Sequence, residues 1–134
     1  MIGRTPGLAK RQWGAVLRAF PEVRLAVLFG SWARGDALPG SDIDVAVLGA
    51  EASLLEIAEA LTEATGREVD VVSIRDPSIP LAEELIRDGL PLYEREPGTF
   101  AEWRSHLLIS LETDRPWFAR MRDAWISRVG REGL

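Results

Sequence analysis

The sequence predicts a single α/β domain, and three observations carry that expectation. Val23 to Phe29 is an almost unbroken apolar run that suits a strand buried on both faces. Segments of helical and of strand periodicity alternate along the chain, with no repeat, low-complexity run or linker between them. Finally, 134 residues of which 46% are apolar fit one core and leave no room for a second.

The elements follow in order. Leu8, Trp13, Val16, Leu17 and Phe20 recur at helical spacing, and Pro21 blocks continuation, which predicts a first helix from Leu8 to Phe20. The Val23–Phe29 strand ends at Gly30 and gives way to a polar, glycine-rich stretch up to Ser41. A second strand is expected from Asp42 to Leu48, with aspartates at its near end and apolar residues at its far end. Leu54, Leu55, Ile57, Ala58 and Leu61 make Glu51 to Thr65 an amphipathic helix, with Gly66 as its terminator. Glu68 to Ile74 reads as a third strand, Leu81 to Asp88 as a short helix ended by Gly89, and Leu90 to Tyr93 as a short strand-like segment. Two further helices are expected near Thr99–Glu112 and Pro116–Val129, since Pro116 belongs in a first helical turn and not inside a helix. The domain therefore covers 1–134, with a core from about 8 to 95 and a C-terminal helical extension from about 97 to 130.

Composition narrows the function. The absence of cysteine rules out thiol nucleophiles and thiolate zinc sites and fits a reducing compartment. With no apolar run near the ~20 residues that span a bilayer, the expectation is a cytoplasmic protein without a membrane partner. A net charge of −5 disfavours binding to a nucleic-acid backbone. Late in the chain, Arg104, Arg115, Arg120, Arg122, Arg128 and Arg131 interleave with Trp103, Trp117 and Trp125. A packed amphipathic helix with a solvated basic face is preferred there to a nucleic-acid surface. A chain this short affords only an open cleft at an edge or end of its sheet.

The residues that carry chemistry lie in the first half of the chain. Asp42 and Asp44 are one residue apart, so in a strand both carboxylates project to one side. Two such charges are costly together unless a proton or cation lies between them, and magnesium, a hard ion that takes carboxylate and phosphate oxygens, is the natural candidate. An Asp-x-Asp at a strand end is more often a solvated turn or a cap. Asp70 changes that balance: it stands between Val69 and Val71 and, if the second and third strands pair, faces the other two across the ladder. A salt bridge to an arginine remains its alternative. Upstream, Gly30-Ser31-Trp32-Ala33-Arg34-Gly35 has the grammar of a phosphate cradle, a glycine turn with a hydroxyl and a guanidinium to follow. No Gly-Lys-Ser/Thr follows, so it is not a Walker loop. An ordinary strand-to-loop turn would explain a Gly-Ser pair equally well.

Taken together, Leu28-Phe29-Gly30-Ser31-Trp32-Ala33-Arg34-Gly35 and Ser41-Asp42-Ile43-Asp44-Val45-Ala46-Val47 closely resemble the signature of the DNA polymerase β nucleotidyltransferase superfamily. The likeness is greatest to its minimal, MNT-type members, commonly the antitoxins of HEPN/MNT toxin–antitoxin pairs, and runs from about Val23 to Tyr93. It implies a polymerase β-like fold with a small mixed sheet flanked by helices. It also implies that Gly30 and Ser31 hold a nucleotide triphosphate, that Arg34 helps neutralise it, and that Ser41 orients the loop entering the strand. Asp42 and Asp44 become bridging ligands of two Mg2+ ions, and Asp70 the third carboxylate, which binds the catalytic ion and helps deprotonate the attacking hydroxyl. No core position of the motif is missing, which argues against an inactive member.

The implied activity is transfer of AMP from ATP to a hydroxyl, with a tyrosine of a cognate HEPN ribonuclease toxin as acceptor and a hetero-oligomer with that toxin as the assembly. Two alternatives stand beside it: a non-catalytic module that masks a toxin by contact through its late arginines and tryptophans, and transfer to a small-molecule hydroxyl. Relatives acting on small molecules usually carry an extra substrate domain, for which there is little length here. His106 is assigned no role.

Overall fold

A computed structural model describes residues 10–111 of the chain. The first helix, α1, spans Lys10–Leu17 and is followed by a turn in which Val23 N–H donates to the Phe20 carbonyl. β1 covers Leu25–Phe29, α2 is a single turn at Ser31–Arg34, and β2 covers Ile43–Leu48. A 3-10 turn at Glu51–Ser53 leads into α3, Leu54–Thr65, which Gly66 ends in the left-handed conformation. β3 is Val69–Ser73, α4 is Ile79–Asp88, and β4 is Leu90–Glu94. α5 begins at 99 and is helical through 111, the last described residue. The helix expected at Pro116–Val129, with Trp117, Trp125 and the arginines from Arg115 onward, lies outside the described residues.

The strands form one mixed sheet in the order β3-β2-β1-β4. β1 pairs antiparallel with both neighbours, while β2 and β3 run parallel. The parallel pair requires a crossover, and α3 supplies it. β1 is central and covered on both faces, which is why its sequence is an apolar run and not an alternation. Ala26 and Leu28 face α1 and α3 in a core with Trp13, Leu17, Ile43, Val45, Val47, Ile57 and Leu61. Leu25 and Val27 face the other way, packing with Ala46, Ile74 and Leu85 and then with Phe100 and Trp103 of α5. Trp103 is thus a packing residue, stacked on Phe100 with ring centroids 6.0 Å apart. The first turn of α5 is fixed by Glu94, whose Oε1 accepts from the Phe100 N–H at 2.8 Å. Among the described residues, no helix is long and apolar enough to cross a membrane.

Most boundaries fall within two residues of expectation, and the differences have local causes. β2 begins at Ile43, so Asp42 lies just outside it. α4 starts two residues earlier than expected because the Ser78 side chain accepts from the Leu81 N–H, and Pro80 sits in the first turn, where its missing donor is harmless. Gly89 does end α4, but with φ −61 and not in the left-handed region. Its small size is what matters: a Cβ there would collide with the Leu85 carbonyl and approach Val27 Cγ1 to 2.9 Å. Gly89→Ala is expected to destabilise the domain by about 1–3 kcal/mol, seen in urea unfolding as a lower midpoint with unchanged slope.

Candidate active site

The site lies where β1 ends and β2 and β3 begin. Antiparallel pairing sets Phe29 opposite Asp44, and parallel pairing sets Asp44 beside Asp70. Both carboxylates project to the α4 side of the sheet, because Asp44 shares its face with Ala46 and Asp70 with Val72, residues of the α4-side core. Asp42, two residues before Asp44, is exposed at the entrance to the strand. Register therefore brings Asp70 next to Asp44, as strand pairing had promised.

The charges interact. The Asp44 carboxyl is pushed above the ordinary aspartate range, first by desolvation and then by the charges of Asp70, Asp42 and Glu84, with Arg34 acting in the opposite sense. No described residue hydrogen-bonds or ion-pairs with the side-chain carboxylates of Asp42, Asp44 or Asp70. The three do not close into a ready-made metal cluster: among the described residues, no group of three acidic or other ligating side chains is gathered tightly enough to hold an ion. The donor set still fits a hard divalent cation, being all carboxylate oxygen, unpaired, and paired in register at Asp44 and Asp70.

Gly30 adjoins these acids. Its φ is +75, and a Cβ on it would overlap the Asp44 carboxylate, so conformation and close approach both require glycine. α2 then starts at Ser31, and Gly35 caps it in the left-handed conformation. The amides of Ala33 and Arg34 are already occupied by the Gly30 carbonyl. Ser41 ties the end of the loop: its hydroxyl accepts from the Leu38 N–H at 2.9 Å, and its own N–H donates back to the Leu38 carbonyl at 2.9 Å.

Arg34 extends from α2 toward α4. It bridges Asp36 at 3.3 Å and Glu84 at 3.2 Å, and its pKa is raised chiefly by the hydrogen bond to Asp36, with the charges of Asp36, Glu84 and Asp88 adding to it. Glu84 is the site-lining residue that sequence reasoning missed. Its only local mark is its place beside Leu85 on the buried face of a short helix, and nothing in the sequence connects it to an arginine 50 positions away.

The family model of polymerase β nucleotidyltransferases matches residues 13–98, well over half of the chain. The chain belongs to that family. The protein adenylyltransferase MntA of Shewanella oneidensis is 35% identical over 77 residues, covering 54% of this chain and 55% of the relative. The chain thus matches about half the length of that curated relative. Among solved structures, a toxin–antitoxin complex with AMP-PNP contains a chain that aligns with a TM-score of 0.71 and 27% identity, covering 91% of this chain and 98% of that one. A complex of tri-AMPylated Shewanella oneidensis HEPN toxin with MNT antitoxin aligns with a TM-score of 0.64 and 25% identity, covering 90% and 94%.

The raised Asp44 pKa has a consequence for stability. A carboxyl that holds its proton more tightly when folded than when unfolded makes the fold less stable as pH rises through the interval between the two values. Asp44→Asn should therefore raise the melting temperature at pH 7, and the gain should shrink as pH falls through that interval and be gone below the unfolded aspartate value. Melting curves across that range check the sign.

Proposed function

We propose that this chain transfers AMP from ATP to a hydroxyl of a protein acceptor, a tyrosine of a cognate HEPN-type ribonuclease toxin, and so acts as an antitoxin in a complex with that toxin. The observation that carries the proposal is the lateral pairing of Asp44 and Asp70 beside the Gly30–Ser31 turn. Family membership and the activities and assemblies of the relatives support the same reading.

In this reading, Asp42, Asp44 and Asp70 would hold two Mg2+ ions and Ser31, at the start of α2, would contact the triphosphate. When bound, such ions lower the pKa of an attacking hydroxyl and screen the charge of a departing pyrophosphate. The acceptor oxygen forms a bond to the α-phosphorus, the bond between the α-phosphorus and its bridging oxygen breaks, and pyrophosphate leaves. Asp70 is exposed on the edge strand β3, where a protein-borne hydroxyl can reach it and hand over its proton. Arg34 exchanges part of its pairing with Glu84 for phosphate oxygens, an exchange suited to a guanidinium with several donors. Catalysis then consists chiefly of positioning and charge stabilisation.

Asp44→Asn and Asp70→Asn should each abolish incorporation of label from α-labelled ATP into the partner toxin while leaving the fold intact. Undiminished labelling by either variant would overturn the assignment. Neutralisation of the toxin should be lost in the Asp42→Asn, Asp44→Asn double variant; retained neutralisation would point to masking by contact.

A further inference from the structure

α2 is one helical turn, too short to be stable on its own, and the loop after it contains Gly35, Pro39 and Gly40 and is largely exposed. Yet Ser31 and Asp42, at the two ends of this stretch, must keep fixed positions relative to Asp70 for the proposed transfer to work. Something has to hold them.

We infer that Trp32 is a positioning residue that holds the three chain segments of the site in register. The inference rests on the reading of Ser31, Asp42 and Asp70 as the nucleotidyl-transfer site. The Trp32 side chain packs against the core on the α1/α3 side of the sheet. Its Nε1–H donates to the Ser41 carbonyl at 3.1 Å. The Arg67 guanidinium lies over the ring, 4.9 Å from its centroid. Each contact adjoins a different part of the site. Trp32 itself follows Ser31, Ser41 precedes Asp42, and Arg67 stands three residues before Asp70. The Arg67 segment is in turn tied to β2, since the Ile43 N–H donates to the Glu68 carbonyl at 2.9 Å.

Helix geometry explains how one turn can do this. Residues two apart on a helix point roughly 200° from each other. Arg34 accordingly reaches α4 on one side of the sheet, and Trp32 reaches the core and Arg67 on the other. The turn straddles the end of the sheet and is fastened on both sides. A tryptophan that only filled space would need neither the indole N–H nor the guanidinium, and phenylalanine would serve equally well there.

The test combines variants and two readouts in the full-length chain. Hydrogen–deuterium exchange at the Leu38 and Ser41 amides is followed without nucleotide or partner, and AMP transfer to the toxin is measured with ATP and Mg2+. Trp32→Phe keeps an aromatic ring under Arg67 but removes the donor together with part of the ring system. It is expected to speed exchange at both amides and to lower kcat/KM about tenfold, with little change in melting temperature. Arg67→Gln should act in the same direction, with Arg67→Lys restoring most of the loss. In a Trp32→Leu background, Arg67→Gln should add nothing further, because the ring it caps is gone. Wild-type exchange and kcat/KM in both Trp32→Phe and Arg67→Gln would overturn the role, as would an undiminished Arg67→Gln effect in the leucine background. The exchange readout is independent of activity: a wild-type chain that transfers no AMP overturns the proposed function, while faster exchange in the variants still upholds the fastening of the loop.

Discussion

Two carboxylates of like charge, Asp44 and Asp70, are held side by side by the parallel register of β2 and β3. The backbone gives them no choice, since the hydrogen-bond ladder fixes their neighbourhood whatever the side chains prefer. The ladder is in turn held by a sheet whose central strands are buried on both sides, with β1 between two apolar layers and β2 anchored through Ile43, Val45 and Val47. Apolar burial supplies the free energy that keeps the unfavourable charge pair in place. Gly30 completes the constraint by leaving the Asp44 carboxylate the space that any side chain would fill.

This geometry gives the end of the sheet an excess of negative charge. Asp42, Asp44, Asp70 and Glu84 all contribute to it, and the nearby Arg34 is shared between Asp36 and Glu84. An excess of negative charge disfavours a bare anion there and favours cations, which is compatible with the cation-dependent transfer proposed above. The four-stranded sheet carries these acids at one end, with Asp42 and Asp70 exposed to solvent.

Much of this was legible in the residues. The apolar run of β1, the period of α3 and the glycines after α3 and α4 gave the element order, and Asp-x-Asp together with the valine-flanked Asp70 gave the acids. Their neighbourhood required an assumption about strand pairing that only tertiary structure could settle. Asp42 was read as a strand residue but lies outside β2, because periodicity does not show where a ladder begins. Glu84 left only its place beside Leu85 as a local trace, and Arg67 left none. Each gains its place from a partner distant in sequence, Arg34 in one case and Trp32 in the other. Gly89 was placed as the end of α4 from its residue type and position, whereas crowding by Leu85 and Val27 is what demands it.

The central claim is that Asp44 and Asp70 act on a shared cation. Carboxyl-carbon NMR of the two side chains, recorded while Mg2+ is titrated into the chain with AMP-PNP present, tests it most directly. The account predicts that both resonances move together with one apparent affinity. Independent titration, or a response at Asp44 with none at Asp70, would contradict it.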